Sequence, residues 1–205
     1  MELVKYILIG SGFAFAAAAQ PGPLQAFYLS RVASGGWKKT LPAALAPLIS
    51  DGPIAFLILS LLHRLPEGFE NYLKAAGGLL LWYFAVKTFL EWRRGRDGVA
   101  QEEQSAPRTL FQAVAVNAVN PGPYLGWSLV LGPTALEAWQ QTPAHAVALI
   151  AAFYVTMVLS LALFILLLGT TSFLGPRGRR GLLLAASLAL ASLGIYQLVS
   201  ALGGV

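Results

Sequence analysis

One acid stands where water should be absent. Asp51 sits in the middle of an apolar run from Thr40 to Leu62, within the string Pro47-Leu-Ile-Ser-Asp-Gly-Pro53. An aspartate at the centre of a membrane helix costs about 2.5 to 3.5 kcal/mol even on the insertion scale, so something must offset it. Such an acid can take up and release a proton, or it can pair with a cationic group of a ligand. The structural alternative is a protonated acid that ties two helices together through Ser50 or an amide opposite. The second chemical signal is a repeated interruption. Gln20-Pro21-Gly22-Pro23 recurs one hundred residues later as Asn120-Pro121-Gly122-Pro123. Each proline lacks a donor, and glycine admits angles other residues avoid, so a helix must break at both places. Proline suits the first turn of a new helix, whose N-terminal end carries partial positive charge and attracts an anion such as a carboxylate. The amides of Gln20, Gln25, Asn117 and Asn120 add donors and acceptors beside the breaks. The second copy has no matching acid, because the position corresponding to Asp51 is Ala151. One acid and two helix N-termini match a zwitterion, with ammonium on the carboxylate and carboxylate on the backbone donors.

These residues need a membrane around them. Of the 205 side chains 57% are hydrophobic and only 11% charged, against about 25% charged in a soluble domain. The apolar surplus must face lipid. A helix crosses a bilayer with roughly 20 apolar residues, and six segments of that size emerge: Val4 to Leu29, Thr40 to Leu62, Tyr72 to Trp92, Leu110 to Leu136, Ala144 to Leu168 and Gly181 to Leu202. The expected fold is therefore an all-α integral membrane protein with six transmembrane helices, the first and fourth of them broken. Residues 1–92 form a first three-helix repeat, 93–108 a polar cytoplasmic linker, and 109–205 a second repeat. Because three crossings is an odd number, the second copy is inverted, and the two breaks should meet near the midplane in a wet cavity.

Loop charge sets the orientation. Arg31, Lys38, Lys39, Arg93, Arg94, Arg96, Arg108, Arg177, Arg179 and Arg180 fall on one side, and Lys5, Arg64 and Lys74 on the other. The richer side is cytoplasmic, which places both termini outside the cytoplasm and the protein in the cell (inner) membrane. Membrane orientation thus accounts for the net charge of +5, and no nucleic-acid partner is expected. The competing reading of the N-terminus as a signal peptide cleaved after Ala19 is weakened by Glu2, and it would destroy the repeat.

Other residues rank lower. Lys87 and Glu91 read as a helix-surface pair or as snorkelling groups. His63 and His145 lie far apart in sequence without acids at ligand spacing, so no metal site is expected. With no cysteine, thiolate sites and disulfides are excluded. Trp37, Trp92 and Trp139 read as interface anchors. Tyr28, Tyr124, Trp127 and Tyr154 are weak candidates for cavity lining. Gly77-Gly78 and Ala185-Ala186 mark close helix contacts, and such small-residue faces are compatible with a homodimer.

Pro21-Gly22-Pro23 in the first segment, Asp51 in the second and Asn120-Pro121 in the fourth resemble the pattern of the lysine exporter type (LysE/RhtB) amino acid translocators, and the resemblance spans the whole chain. Members that move amino acids commonly have Asn after the first motif and Lys after the second Asn-Pro. Here those places hold Leu24-Gln25 and Gly122, so a fixed positive charge is missing. The resemblance implies a secondary exporter of small zwitterionic metabolites, amino acids first, working by alternating access and coupled to protons as an antiporter. The partners would be substrate, proton and lipid, with no cofactor. Alternatives are a lipid, glycolipid or divalent-cation translocator of the same superfamily, although a cation carrier would want several intramembrane carboxylates. From other classes come a membrane-embedded enzyme, for which no nucleophile and base can be assembled, and a scaffold without a pathway.

Overall fold

A computed structural model describes residues 2–61, 69–94, 105–170 and 175–203. His63, Arg64, Arg96 and most of the expected linker lie outside the described residues. Within them every regular element is helical. In chain order these are α1 (Glu2–Ala19), α2 (Pro23–Gly35), α3 (Trp37–Thr40), a 3-10 turn (Leu41–Leu45), α4 (Ala46–Leu61), α5 (Phe69–Arg94), α6 (Ala106–Ala118), α7 (Pro121–Gly126), a π segment (Trp127–Leu131), α8 (Gly132–Gln141), α9 (Pro143–Thr170) and α10 (Gly175–Gly203).

The helix α9 shows why this chain belongs in lipid. Ala146, Leu149, Phe153, Met157, Leu161, Ile165 and Gly169 are buried, one per turn along a single face. The opposite face is just as apolar, with Val147, Val155, Leu159, Leu163 and Leu167 exposed. A helix apolar all round has hydrocarbon on its outer side. At 28 residues it is about 42 Å long, more than the ~30 Å hydrocarbon core requires. Among the described residues, four helical stretches are long and apolar enough to cross a membrane: Glu2–Ala19, Trp37–Ile58, Pro143–Thr170 and Arg180–Leu202. The third and fourth expected segments are not among them. α5 is less apolar because it carries Lys74, Lys87 and Glu91, and the fourth is divided by its break into α6, α7, the π segment and α8.

Close helix contacts come from missing side chains. A Cβ on Gly10 would lie 2.4 Å from the Leu149 carbonyl oxygen, so α1 and α9 meet backbone to backbone. α5 and α10 do the same, because a Cβ on Gly78 would lie 2.9 Å from the Gly194 oxygen and one on Gly194 3.0 Å from the Gly78 oxygen. Gly77-Gly78 thus marks a close contact, as the sequence implies. Hydrogen bonds stay inside the protein, as lipid demands. Buried Tyr28 donates to the Ala43 carbonyl at 2.8 Å, and Ser30 bonds Thr88 at 2.6 Å.

The structure adds contacts to three readings of the sequence. Arg31, counted as a loop charge, lies in α2 and is buried, its guanidinium 5.2 Å from the centroids of both the Phe27 and Phe84 rings, which touch each other edge to face. Glu91 accepts a hydrogen bond from Ser34 on α2, and the Lys87 ammonium lies over the Tyr83 ring. Trp37 packs on Gly169 of α9, so it serves a helix contact and not only an interface.

Candidate functional site

Asp51 is on the inner face of α4. Ala46, Pro47, Ser50, Asp51, Ile54 and Ile58 are buried, while Leu48, Ile49, Gly52, Pro53 and Phe56 face outward. Helical periodicity therefore turns the acid away from lipid, and it is 3% exposed. Its partner comes from the other half of the chain. Asn117, in the last turn of α6, donates from Nδ2 to Asp51 Oδ1 at 2.8 Å and to Ser50 Oγ at 2.7 Å. Those two bonds use both amide hydrogens. The Ser50 hydroxyl has one proton, which goes to the Ala46 carbonyl at 3.0 Å or to Asp51 Oδ1 at 3.3 Å. The link between two helices is the arrangement the sequence offers as the structural role of this acid.

More polar groups surround the carboxylate. The buried Trp127 indole N–H faces it without reaching normal hydrogen-bond geometry. Trp127 opens the π segment, a widened turn of the kind often found at functional sites. The hydroxyls of Tyr124 and Tyr154 lie within electrostatic range of Asp51. Of the four aromatics weighed as cavity lining, three gather at the acid and Tyr28 does not.

Both expected breaks exist, but the helix restarts at the second proline of the first motif and at the first proline of the second. α1 stops at Ala19, Gly22 is fully extended (φ −165°, ψ −174°), and α2 starts at Pro23. α6 stops at Ala118, Asn120 is extended (φ −81°, ψ 125°), and α7 starts at Pro121. Asn120 caps the new helix through Oδ1, which accepts from the Gly122 N–H at 3.2 Å. An interrupted helix frees carbonyls that lipid cannot satisfy. In each copy a side chain from beyond the break returns to one of them. Gln25 Nε2 donates to the Ala18 carbonyl at 2.9 Å, and the Tyr124 hydroxyl to the Ala118 carbonyl at 2.7 Å. Ala18 and Ala118 are one hundred residues apart, as the two motifs are.

The structure gathers the expected residues into two groups. Asp51, Ser50 and Asn117 form one. The second is a narrow crevice that Pro23 and Asn120 line together with Gly77, Leu80, Leu81, Val116, Val119 and Gln197, with no room for a water molecule. The breaks do face a common space, but this crevice does not reach Asp51, and it is closed rather than wet. Asn117, in the last turn of α6, reaches Asp51, whereas Val116, Val119 and Asn120 close to it in the chain line the crevice. Gln25 is spent on its carbonyl. Gln20, Pro21 and Gly122 are exposed, while Pro121 and Pro123 are partly covered. Gln197 escapes sequence reasoning. Its only signal is a lone amide in the last apolar segment, with no motif around it.

A multi-pass helical membrane protein with an acid held between distant segments, beside two helix interruptions, has the architecture of a membrane transport protein. Over residues 15–201 the chain matches the family model described as LysE type translocator, and it belongs to that family. No curated protein and no solved structure matches the chain. Family membership makes it a transporter of small molecules such as amino acids and not an enzyme.

Proposed function

We propose that this protein exports small zwitterionic metabolites, amino acids first, from the cell across the inner membrane in exchange for protons. The observation that carries the proposal is the Asn117–Asp51 hydrogen bond. It joins residues from the two halves of the chain at an acid buried deep within an apolar segment. When an inverted pair of units rocks, contacts across its interface must break and re-form. An acid whose hydrogen bond opens with that motion gains and loses proton affinity with it, which is what coupling needs.

Several contacts support six crossings and two inverted three-helix units, and loop charge supports both termini lying outside the cytoplasm. Lys5 near the start of α1 lies 3.8 Å from Glu137 in α8, and the Tyr6 ring stacks on His145 at the start of α9, 5.2 Å between centroids. The N-terminus and the α8–α9 turn therefore share one face, as six crossings require. Ser34 bonds Glu91 and Trp37 packs on Gly169, which groups the ends of α2, α5 and α9 at the other face. α1 pairs with α9, α4 with α6 and α5 with α10, the pattern of two like units related by a twofold axis. The closed crevice corresponds to a state between inward and outward opening.

Proteoliposomes loaded with the twenty common L-amino acids test this reading. An imposed proton gradient should drive out at least one of them, with external protons entering in exchange. The Asp51→Asn variant should lose the gradient dependence. Gradient-driven efflux that is unchanged in Asp51→Asn removes the acid from the mechanism.

A further inference from the structure

The crevice between the breaks is lined by hydrogen-bond acceptors with capacity to spare. Gln197 on α10 is 6% exposed, and its Oε1 is buried without a hydrogen-bond partner among the described residues. The Val119 carbonyl would take the N–H of residue 123 in an unbroken helix, but Pro123 has none. Asn120 Oδ1 accepts one bond, from Gly122, and keeps a lone pair. The remaining walls are aliphatic: Leu80, Leu81, Val116 and Val119. Gly77 holds the arrangement together. A Cβ there would lie 2.4 Å from Gln197 Oε1 and 2.7 Å from the Val119 oxygen, so only glycine lets both acceptors close on α5.

From this geometry we infer that Gln197 is a specificity residue, which together with the Val119 carbonyl and Asn120 receives the ammonium group of the exported metabolite. Three acceptors on an apolar wall suit a group with three N–H donors attached to a short aliphatic body. The carboxylate of Asp51 lies outside the crevice. Substrate amine and proton therefore have separate seats, with Asp51 left for the proton. This deepens the proposed function and rests on it. The crevice is collapsed in this state, so the ligand enters when α10 moves away from α2 and α6.

The test uses the full chain in proteoliposomes loaded with the twenty L-amino acids, followed by the N,N,N-trimethyl form of whichever leaves fastest. A site built to bond N–H groups rejects the analogue that lacks them, so the natural chain should favour the primary amine by about tenfold or more. Gln197→Leu should bring that preference down to about twofold while leaving the dependence on the proton gradient unchanged. Gln197→Glu keeps an acceptor and should retain the preference. Gly77→Ala, which displaces the amide, should behave as Gln197→Leu does. Helical content and a monodisperse elution profile establish that each variant is folded. A folded Gln197→Leu with undiminished preference overturns the inference and leaves the proposed function standing. If the natural chain releases none of the twenty, the proposed function and this inference fall together.

Discussion

Asn117 spends both of its amide hydrogens on α4, one on Asp51 and one on Ser50. Residues 66 positions apart thereby fix the junction between the two halves of the chain. Removing the amide leaves the buried carboxyl only the longer bond that Ser50 can offer at 3.3 Å. Asn117→Leu should cost about 1–3 kcal/mol of stability, and Asp51→Leu alone a comparable amount. The double variant should cost less than the sum of the two, because it leaves neither group stranded. Detergent-solubilised thermal unfolding of the four proteins measures the coupling, and strict additivity would show that the bond carries no energy.

The returning side chains at the breaks can be tested as a pair. Gln25→Leu strands the Ala18 carbonyl and Tyr124→Phe the Ala118 carbonyl. Each should destabilise by about 1–3 kcal/mol if the freed carbonyl stays dry, and much less if water reaches it. Thermal unfolding therefore reports whether each break is hydrated. Tyr124→Phe removes a single oxygen, which makes it the cleaner of the two.

The glycine contacts predict a size threshold. Gly10→Ala brings a carbon to 2.4 Å from the Leu149 oxygen, and Gly78→Ala one to 2.7 Å from the Leu198 side chain and 2.9 Å from the Gly194 oxygen. Both should lower stability by about 1–3 kcal/mol. Gly12→Ala and Gly52→Ala, where a Cβ meets nothing within 4 Å, should be close to neutral. A Gly10→Ala protein as stable as the parent would mean that α1 and α9 are farther apart than they are here.

Orientation is directly measurable because the chain has no cysteine. A membrane-impermeant maleimide should label Lys39→Cys only from the cytoplasmic side and Gln141→Cys only from outside. Both positions are exposed at the ends of helices. The reversed pattern would overturn the charge-based topology while leaving the helix packing intact.

How much of the fold and the site is legible in the sequence depends on the range of the interaction. The breaks are legible because proline and glycine act on their own backbone, wherever the rest of the chain lies. The inward position of Asp51 is legible because a charge is costly in lipid, and Asn117 stands out as one of four amides near the breaks. Which amide meets the acid is not, since that depends on how α6 lies against α4. Gln197 and the buried Arg31 escape for the same reason. A lone amide or cation in an amphipathic or apolar run gains meaning only from the helices that surround it. The aqueous chamber expected between the breaks is absent among the described residues, because how tightly the surrounding helices close over the breaks depends on tertiary packing that the motifs do not encode.

The contact of Gly78 with Gly194 presses two helices together main chain to main chain, with the Leu198 side chain seated against the same glycine. Close-packed interiors give little and pass strain on. The joint has no slack, so a displacement of α5 is handed directly to α10.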